Sequence, residues 1–375
     1  MDKKIVIACQ SCGYLMRDMI NAYSAAGYAV TLMSSRESWD GFKGELPKGV
    51  GHCKVIAYDR TSTIQRLWTW GVCTMQMWLN ILIHHRGEEV LYVSNPPTSP
   101  LLPLVLKNKF SLLIWDIYPD VMVSQRITKD DSFITKWWSK KNKTVFTKAK
   151  NVYTISDGMK CCLAKYGSDE KIKVVPLWPD GVMQRVVKSE NLFIKEQKLE
   201  GKFVVMYSGN LGNTHRMDVL LDVAQLVHDE DVVFLLIGEG GKKKMIEERI
   251  EKEKIRNVRL LPFQSLEMLP HSLSTADIAV VTLDSTSSQM SVPSKTFNLM
   301  AVGAPLMCIA STESELGNLV RKYNVGVIYA PENVVEMAKF VIHLKADKED
   351  WEKYCANALV AAKNFTSENA KLFVE

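Results

Sequence analysis

No apolar run in this chain of 375 residues reaches the roughly 20 residues that a membrane-spanning helix needs. The nearest approach, Leu67 to Ile83, carries no formal charge, but Thr69, Thr74, Gln76 and Asn80 interrupt it, and it reads as a buried helix or a membrane-contacting surface. A secretory core is missing as well. After Met1-Asp2-Lys3-Lys4 come only Ile5 to Cys9, too short for a signal peptide and read instead as a first strand. Eight cysteines are scattered at 9, 12, 53, 73, 161, 162, 308 and 355. With no second pair to complete a zinc site around Cys9-x-x-Cys12, they read as reduced thiols in the core and loops of a cytosolic protein. No Asp-x-Asp stands at the end of a predicted strand to hold a divalent metal, and no complete Gly-x-Gly-x-x-Gly is present, which disfavours a nicotinamide-dependent oxidoreductase.

What is present is ordinary globular material: 47% hydrophobic and 24% charged residues, enough for two domains. The net charge of +5 is uneven, with 24 basic against 16 acidic residues in 1–180 and 23 against 26 in the remainder. Short apolar runs alternate with amphipathic segments throughout, which predicts parallel sheets covered by helices. Strands are expected at Lys4–Ala8, Ala29–Met33, Cys53–Ala57, Val90–Val93, Ser111–Trp115, Asn151–Ile155 and Lys173–Val175. A polar stretch, Lys188–Lys202, reads as a linker and surface helix, and strands resume at Phe203–Tyr207, Val232–Ile237, Val258–Leu261, Ile278–Val281, Pro305–Ile309 and Val325–Tyr329. Helices are expected between them, including Ser62–His84, Leu101–Lys107 and Ser132–Lys148, with an exposed helix at Ser367–Glu375. In such sheets ligands bind beyond the carboxyl ends of the strands.

Three loops there carry chemistry. Ser208-Gly209-Asn210-Leu211-Gly212, then Asn213-Thr214-His215-Arg216, leads from a strand into a helix, so that backbone N–H groups can approach a phosphate. Ile237-Gly238-Glu239-Gly240-Gly241, with Lys242 to Lys244 behind it, is a second glycine loop. In Ser291-Val292-Pro293-Ser294-Lys295, Ser294 stands where a helix N-cap belongs, and Lys295 opposes the helix dipole unless an anion is bound. In the first half Asp116 follows the apolar run Leu112 to Trp115, which delivers a carboxylate to the edge of a cleft or caps a local turn.

Taken together, Tyr207 to Gly212, Ile237 to Gly240, Leu261-Pro262-Phe263-Gln264, Ala276-Asp277 and Pro293-Ser294-Lys295 through Met300-Ala301-x-Gly303-x-Pro305 resemble the donor half of the family 4 retaining glycosyltransferases. Asn95-Pro96-Pro97, Asp116-x-Tyr118-Pro119-Asp120 and Pro176-x-Trp178-x-Asp180 are similar to the fucosamine-transferase-like branch that builds bacterial O-antigens and capsules. The resemblance implies an α/β fold of GT-B type, two doubly wound Rossmann-like domains facing each other across a cleft. Residues 1–180 would take the acceptor, 181–360 the nucleotide-sugar donor, and 361–375 would cross back to the first domain.

It also implies a retaining transfer, without metal or other cofactor, of a hexosyl or N-acetylhexosaminyl group from a UDP-linked donor to a lipid-linked saccharide. Lys295 would stabilise the departing diphosphate and Asp116 would orient the attacking hydroxyl or take its proton. Gly13, Gly209, Asn210, His215, Arg216, Gly238, Phe263, Ser294 and Asn298 would contact the donor. The family's Glu-x7-Glu pair falls on Met290 and Asn298, and its diphosphate-clamping Arg and Lys fall on Asn210 and His215, leaving Arg216 and Lys295 as the nearest cations. These departures keep a non-catalytic nucleotide-sugar-binding protein open, and an epimerase acting on a UDP-sugar is a third reading. Lys136-Trp137-Trp138-Ser139-Lys140-Lys141-Asn142-Lys143 suits the inner face of an anionic plasma membrane, where a cytoplasmic peripheral enzyme would meet its acceptor. It also fits a solvated helix with core-facing tryptophans, and no reader motif for nucleic acid is present.

Overall fold

The computed structural model describes residues 3–35, 46–59, 61–212, 215–283 and 292–374. The chain divides into two compact units, Met1–Leu177 with Ser367–Glu375, and Trp178–Thr366.

The first unit runs β1 (Lys3–Ala8), α1 (Tyr14–Ala25), β2 (Tyr28–Ser34), β3 (Gly51–Lys54), α2 (Thr63–His84), β4 (Glu89–Val93), β5 (Phe110–Leu113), α3 (Asp120–Ser124), α4 (Phe133–Lys148), β6 (Val152–Thr154), α5 (Asp157–Leu163) and β7 (Ile172–Val174). All strands pair in parallel, in the order β3-β2-β1-β4-β5-β6-β7. A central parallel strand is covered on both faces, so Ile5, Val6, Ile7 and Ala8 are all buried and the run is continuous rather than alternating. Ser62, Ser132 and Ser156 each accept a backbone N–H of the following turn and fix where α2, α4 and α5 begin.

Two expectations fail here for local reasons. The helix expected at Leu101–Lys107 is a 3-10 turn at Ser99–Leu104, because Pro100 and Pro103 withhold the N–H groups an α-helical ladder requires. The carboxyl-terminal segment expected as an exposed helix is a 3-10 segment, Ser367–Phe373, with Ala370 and Phe373 buried. The Phe373 carbonyl accepts hydrogen bonds from the hydroxyls of Tyr23 (2.9 Å) and Tyr153 (3.0 Å), so the segment packs on the first unit.

The second unit runs α6 (Leu192–Glu196), β8 (Phe203–Ser208), α7 (Met217–Leu226), β9 (Val232–Ile237), α8 (Lys243–Lys252), β10 (Val258–Leu261), α9 (Leu269–Leu273), β11 (Ile278–Thr282), α10 (Lys295–Ala301), β12 (Leu306–Ile309), α11 (Glu315–Tyr323), β13 (Gly326–Tyr329), α12 (Val334–Ala346) and α13 (Lys348–Ala362). Its parallel order is β10-β9-β8-β11-β12-β13, so the chain reverses direction between β8 and β11, where such sheets open a binding crevice. The core is built from Val205, Leu220, Phe234, Leu236, Ile278 and Val280 with their neighbours on α7 and α12. The stretch Lys188–Lys202, expected as a linker, is tied in: Phe193 is fully buried and Asn191 accepts from the N–H groups of Phe193 and Ile194.

Candidate functional site

In the second unit the carboxyl ends of β9, β8 and β11 deliver one cluster. Gly238 has φ +155°, and a Cβ there would lie 1.9 Å from the Gly209 carbonyl oxygen. Gly240 (φ +152°) would meet the Leu211 backbone at 2.5 Å. The glycines therefore let the loop after β8 lie directly on the loop after β9, and Leu211 N–H to Glu239 O at 2.8 Å closes the seam. The N–H groups of Gly209 and Gly238 are already given to the carbonyls of Ile237 and Leu261, both at 2.9 Å. Those two glycines thus supply room for the backbone rather than the donors that the loop sequence suggested.

Lys295 opens α10 and points across this seam. Its Nζ sits 3.7 Å from the centre of the Tyr207 ring and 3.4 Å from the Ser208 carbonyl oxygen. Burial drives its amine down to about 7, so without a neighbouring anion it is only partly protonated at physiological pH. The Tyr207 hydroxyl donates to the Asn210 carbonyl at 2.7 Å and braces the first loop. His215 Nδ1 lies 3.2 Å from Thr282 Oγ1 at the end of β11. Desolvation and the nearby Lys295 push its imidazole down to about 4, so it is neutral at physiological pH. Asn210 is exposed at the loop tip, and Phe263, 54% exposed, stands two residues beyond β10 at the same edge of the sheet.

Other expected residues take different work. The Arg216 guanidinium is occupied by Asp218, with Nε and Nη2 at 2.9 to 3.2 Å from its carboxylate oxygens, so Arg216 is not a free phosphate ligand. The Asn298 side-chain oxygen accepts the Asp180 backbone N–H at 3.1 Å and pins the start of the second unit. Ser294 holds the N-cap position of α10 but has helical φ and ψ and makes no side-chain cap, because an N-cap hydroxyl reaches back only from extended backbone. Gly303 closes α10 at φ +73°, with Ala304 N–H to Leu299 O and Gly303 N–H to Met300 O, a Schellman end. Asp277 lies at the opposite edge of the sheet, where it accepts the Val204 N–H and pairs with Lys188, a structural role. Asn213, Thr214, Met290 and Ser291 lie outside the described residues. A larger groove, lined by Lys202, His228, Glu253 and Arg256, sits at that opposite edge and contains none of the expected site residues.

In the first unit Asp116 follows β5 and lines a small pocket with Ser94, Pro97, Tyr118, Trp138 and Asn142. Ser94 Oγ accepts the N–H groups of Trp115 (2.9 Å) and Asp116 (3.2 Å), which fixes the turn carrying the carboxylate. Asp116 is itself exposed at the rim of this pocket, and the protein atoms crowded around its carboxylate raise it above the usual carboxylate range. Beside it, Tyr118 stacks on Trp138 at 5.9 Å and meets Trp70 edge-on at 6.2 Å. Gly13 is the exposed N-cap of α1, where a Cβ would meet nothing within 4 Å. Thr282 was not singled out from sequence, because it ends the buried strand β11 and looks there like any core residue, and Ser94 and Tyr207 entered the reading only as members of their loop motifs, without the roles seen here.

Residues 188–360 match the model of Glycosyl transferases group 1, which agrees with the resemblance read from the loops. The chain is 24% identical over 262 residues to the Probable glycosyltransferase WbjE of Pseudomonas aeruginosa, covering 68% of this chain and 66% of that protein. It thus spans just under two thirds of that relative. Among solved structures, Anabaena HepE in complex with UDP superposes with a TM-score of 0.72 at 14% identity, over 99% of this chain and 98% of that one. WaaG, a glycosyltransferase involved in lipopolysaccharide biosynthesis, does so with a TM-score of 0.72 at 12% identity, over 99% and 98%. The fold is GT-B, built from two Rossmann-like units.

Proposed function

We propose that the protein is a retaining glycosyltransferase of surface-polysaccharide synthesis, moving a hexosyl or N-acetylhexosaminyl group from a UDP-linked donor to a lipid-linked saccharide without a metal ion. The observation that carries this is Lys295, a desolvated amine held over the Tyr207 ring at the crevice of a group 1 transferase domain. An anion there restores the proton that burial disfavours. As the anomeric C–O bond breaks, charge develops on the leaving phosphate oxygen, and a preorganised cation stabilises it. The acceptor hydroxyl bonds to the anomeric carbon from the same face and gives up its proton. In this reading the donor belongs to the second unit, with Asn210, His215 and the exposed Phe263 ring around it, and the acceptor to the first. The UDP complex of HepE and the full-length likeness support a uridine nucleotide, and the involvement of WaaG in lipopolysaccharide biosynthesis supports a lipid-linked saccharide acceptor.

Asp116 is assigned the acceptor's proton. Its raised carboxyl is a better base than an ordinary aspartate, and Ser94 holds the turn that carries it. Asp116→Asn is expected to lower kcat for transfer by about 10²- to 10³-fold and to leave the dissociation constant for UDP unchanged. Steady-state transfer assays in EDTA, paired with calorimetric UDP titration, measure both; equal loss of turnover and UDP binding would make Asp116 structural.

A further inference from the structure

Helix α2 is apolar on two opposite faces. Thr69, Cys73, Met77 and Ile81 are buried. Gly71, Met75, Leu79 and Ile83 each stand two positions further on, about 200° around the helix, and all are exposed. At its amino end Ile64 is 80% and Trp68 62% exposed. From Leu67 to His85 there is no Lys, Arg, Asp or Glu, although the outward face of a surface helix in a soluble protein is normally polar. The strip does not end with α2. Both α2 and α4 pack on Ser99–Leu104, and the Trp70–Tyr118–Trp138 ring contacts tie their amino halves together. There α4 exposes Phe133 (83%), Ile134 and Trp137. The same helix carries Lys136, Lys140, Lys141, Lys143 and Lys148 with no acidic residue.

We propose that the outer face of α2, continued by the first turns of α4, is a docking surface for an anionic lipid bilayer, with α2 lying in the plane of the interface. The proposal deepens the membrane part of the reading above and rests on it. The uncharged strip from Leu67 to Ile83, rich in Trp, Met, Leu and Ile and about 25 Å long, can sink below the headgroups, while the lysines of α4 meet the phosphates. A second copy of the chain would bring those lysines toward their own equivalents, so charge complementarity favours lipid over self-association. No helix among the described residues is long and apolar enough to cross a membrane, which leaves a surface-lying arrangement for α2.

The test is co-sedimentation of the purified chain with vesicles of phosphatidylglycerol and phosphatidylethanolamine, and with vesicles of phosphatidylcholine alone. Binding is expected to the first and to be markedly weaker to the second. Trp68→Glu combined with Met75→Glu is expected to weaken partitioning roughly tenfold or more, and Lys136→Glu with Lys140→Glu to abolish the preference for anionic lipid. Stabilisation by UDP, measured on the same preparations, reports folding and the donor reading separately: vesicle binding without a UDP response would keep the surface and remove the transferase. Three results would overturn the proposal: wild type left in the supernatant with both vesicle types, the Trp68/Met75 variant sedimenting like wild type, or a concentration-dependent dimer that this variant abolishes while wild type ignores lipid.

Discussion

Lys295→Ala is expected to reduce sugar transfer by about 10²- to 10³-fold, the scale for removing one preorganised group that meets developing charge, while the protein stays folded. The amine makes one long contact to the Ser208 carbonyl and lies over Tyr207, and no ion pair to it is present among the described residues. Its ligand-free position is therefore costly rather than stabilising. In the ligand-free protein burial holds the amine near 7, so much of it is neutral at pH 7.5; a bound diphosphate favours the protonated form and draws a proton in. Arginine at this position carries the charge but not the shape, so Lys295→Arg should recover only part of the rate. Turnover equal to wild type in Lys295→Ala would remove this residue from the mechanism and leave the loop as architecture. The comparison with Asp116→Asn is informative, because the lysine variant should lose UDP affinity as well as rate, whereas the aspartate variant should lose rate alone.

Gly238→Ala is expected to damage both the stability of the second unit and its site. The added carbon would sit 1.9 Å from the Gly209 carbonyl oxygen, which is backbone and cannot swing aside, and φ +155° is itself unfavourable for alanine. Destabilisation on the order of 2 to 4 kcal/mol should appear in urea denaturation, together with loss of UDP binding, because the two loops can no longer lie against each other. Gly13→Ala is the matched control. It has φ −128° and nothing within 4 Å, so stability should change little. A Gly238→Ala protein with wild-type stability and UDP affinity would mean that the loop after β9 moves freely and does not shape the site.

The sheets were legible because parallel strands buried on both faces announce themselves as short apolar runs. Val232–Ile237 and Val258–Leu261 fall on the predicted residues, and most other strands end within two of them. Helices whose signal was mixed were not. α13 begins with Lys348, Glu349 and Asp350 and carries only Cys355, Ala358 and Ala361 as buried residues, too little apolar periodicity to read. The loops that carry the chemistry were found by their glycines and by the Pro-Ser-Lys run, yet the partners of individual side chains were not. Lys295 lies over Tyr207 across 88 positions of sequence, and Asn298 is claimed by the backbone of Asp180 across 118. Contacts of that range are set by the order of strands in the sheet, which no local pattern encodes. Arg216 is the opposite case: its competitor, Asp218, stands two residues away, and the pairing follows from proximity once both side chains flank the start of α7. In the first unit the hydroxyl of Ser94 reaches the Asp116 turn only because β4 and β5 are neighbours.

The central claim is that the crevice at β8, β9 and β11 binds the diphosphate of a uridine nucleotide through Lys295. Its most direct test is the melting temperature of the full chain with UDP, GDP and NAD in EDTA, at pH 7.5 and again at pH 9. A ligand that binds only the folded state raises its stability in proportion to the logarithm of concentration over dissociation constant. With the Lys295 amine near 7 in the free protein, binding above that pH must take up a proton, so affinity should fall by up to about tenfold per pH unit. The account predicts a selective rise with UDP at pH 7.5 that shrinks at pH 9 and is lost in Lys295→Ala. A rise with NAD alone, or a UDP effect that ignores both pH and Lys295, would contradict it.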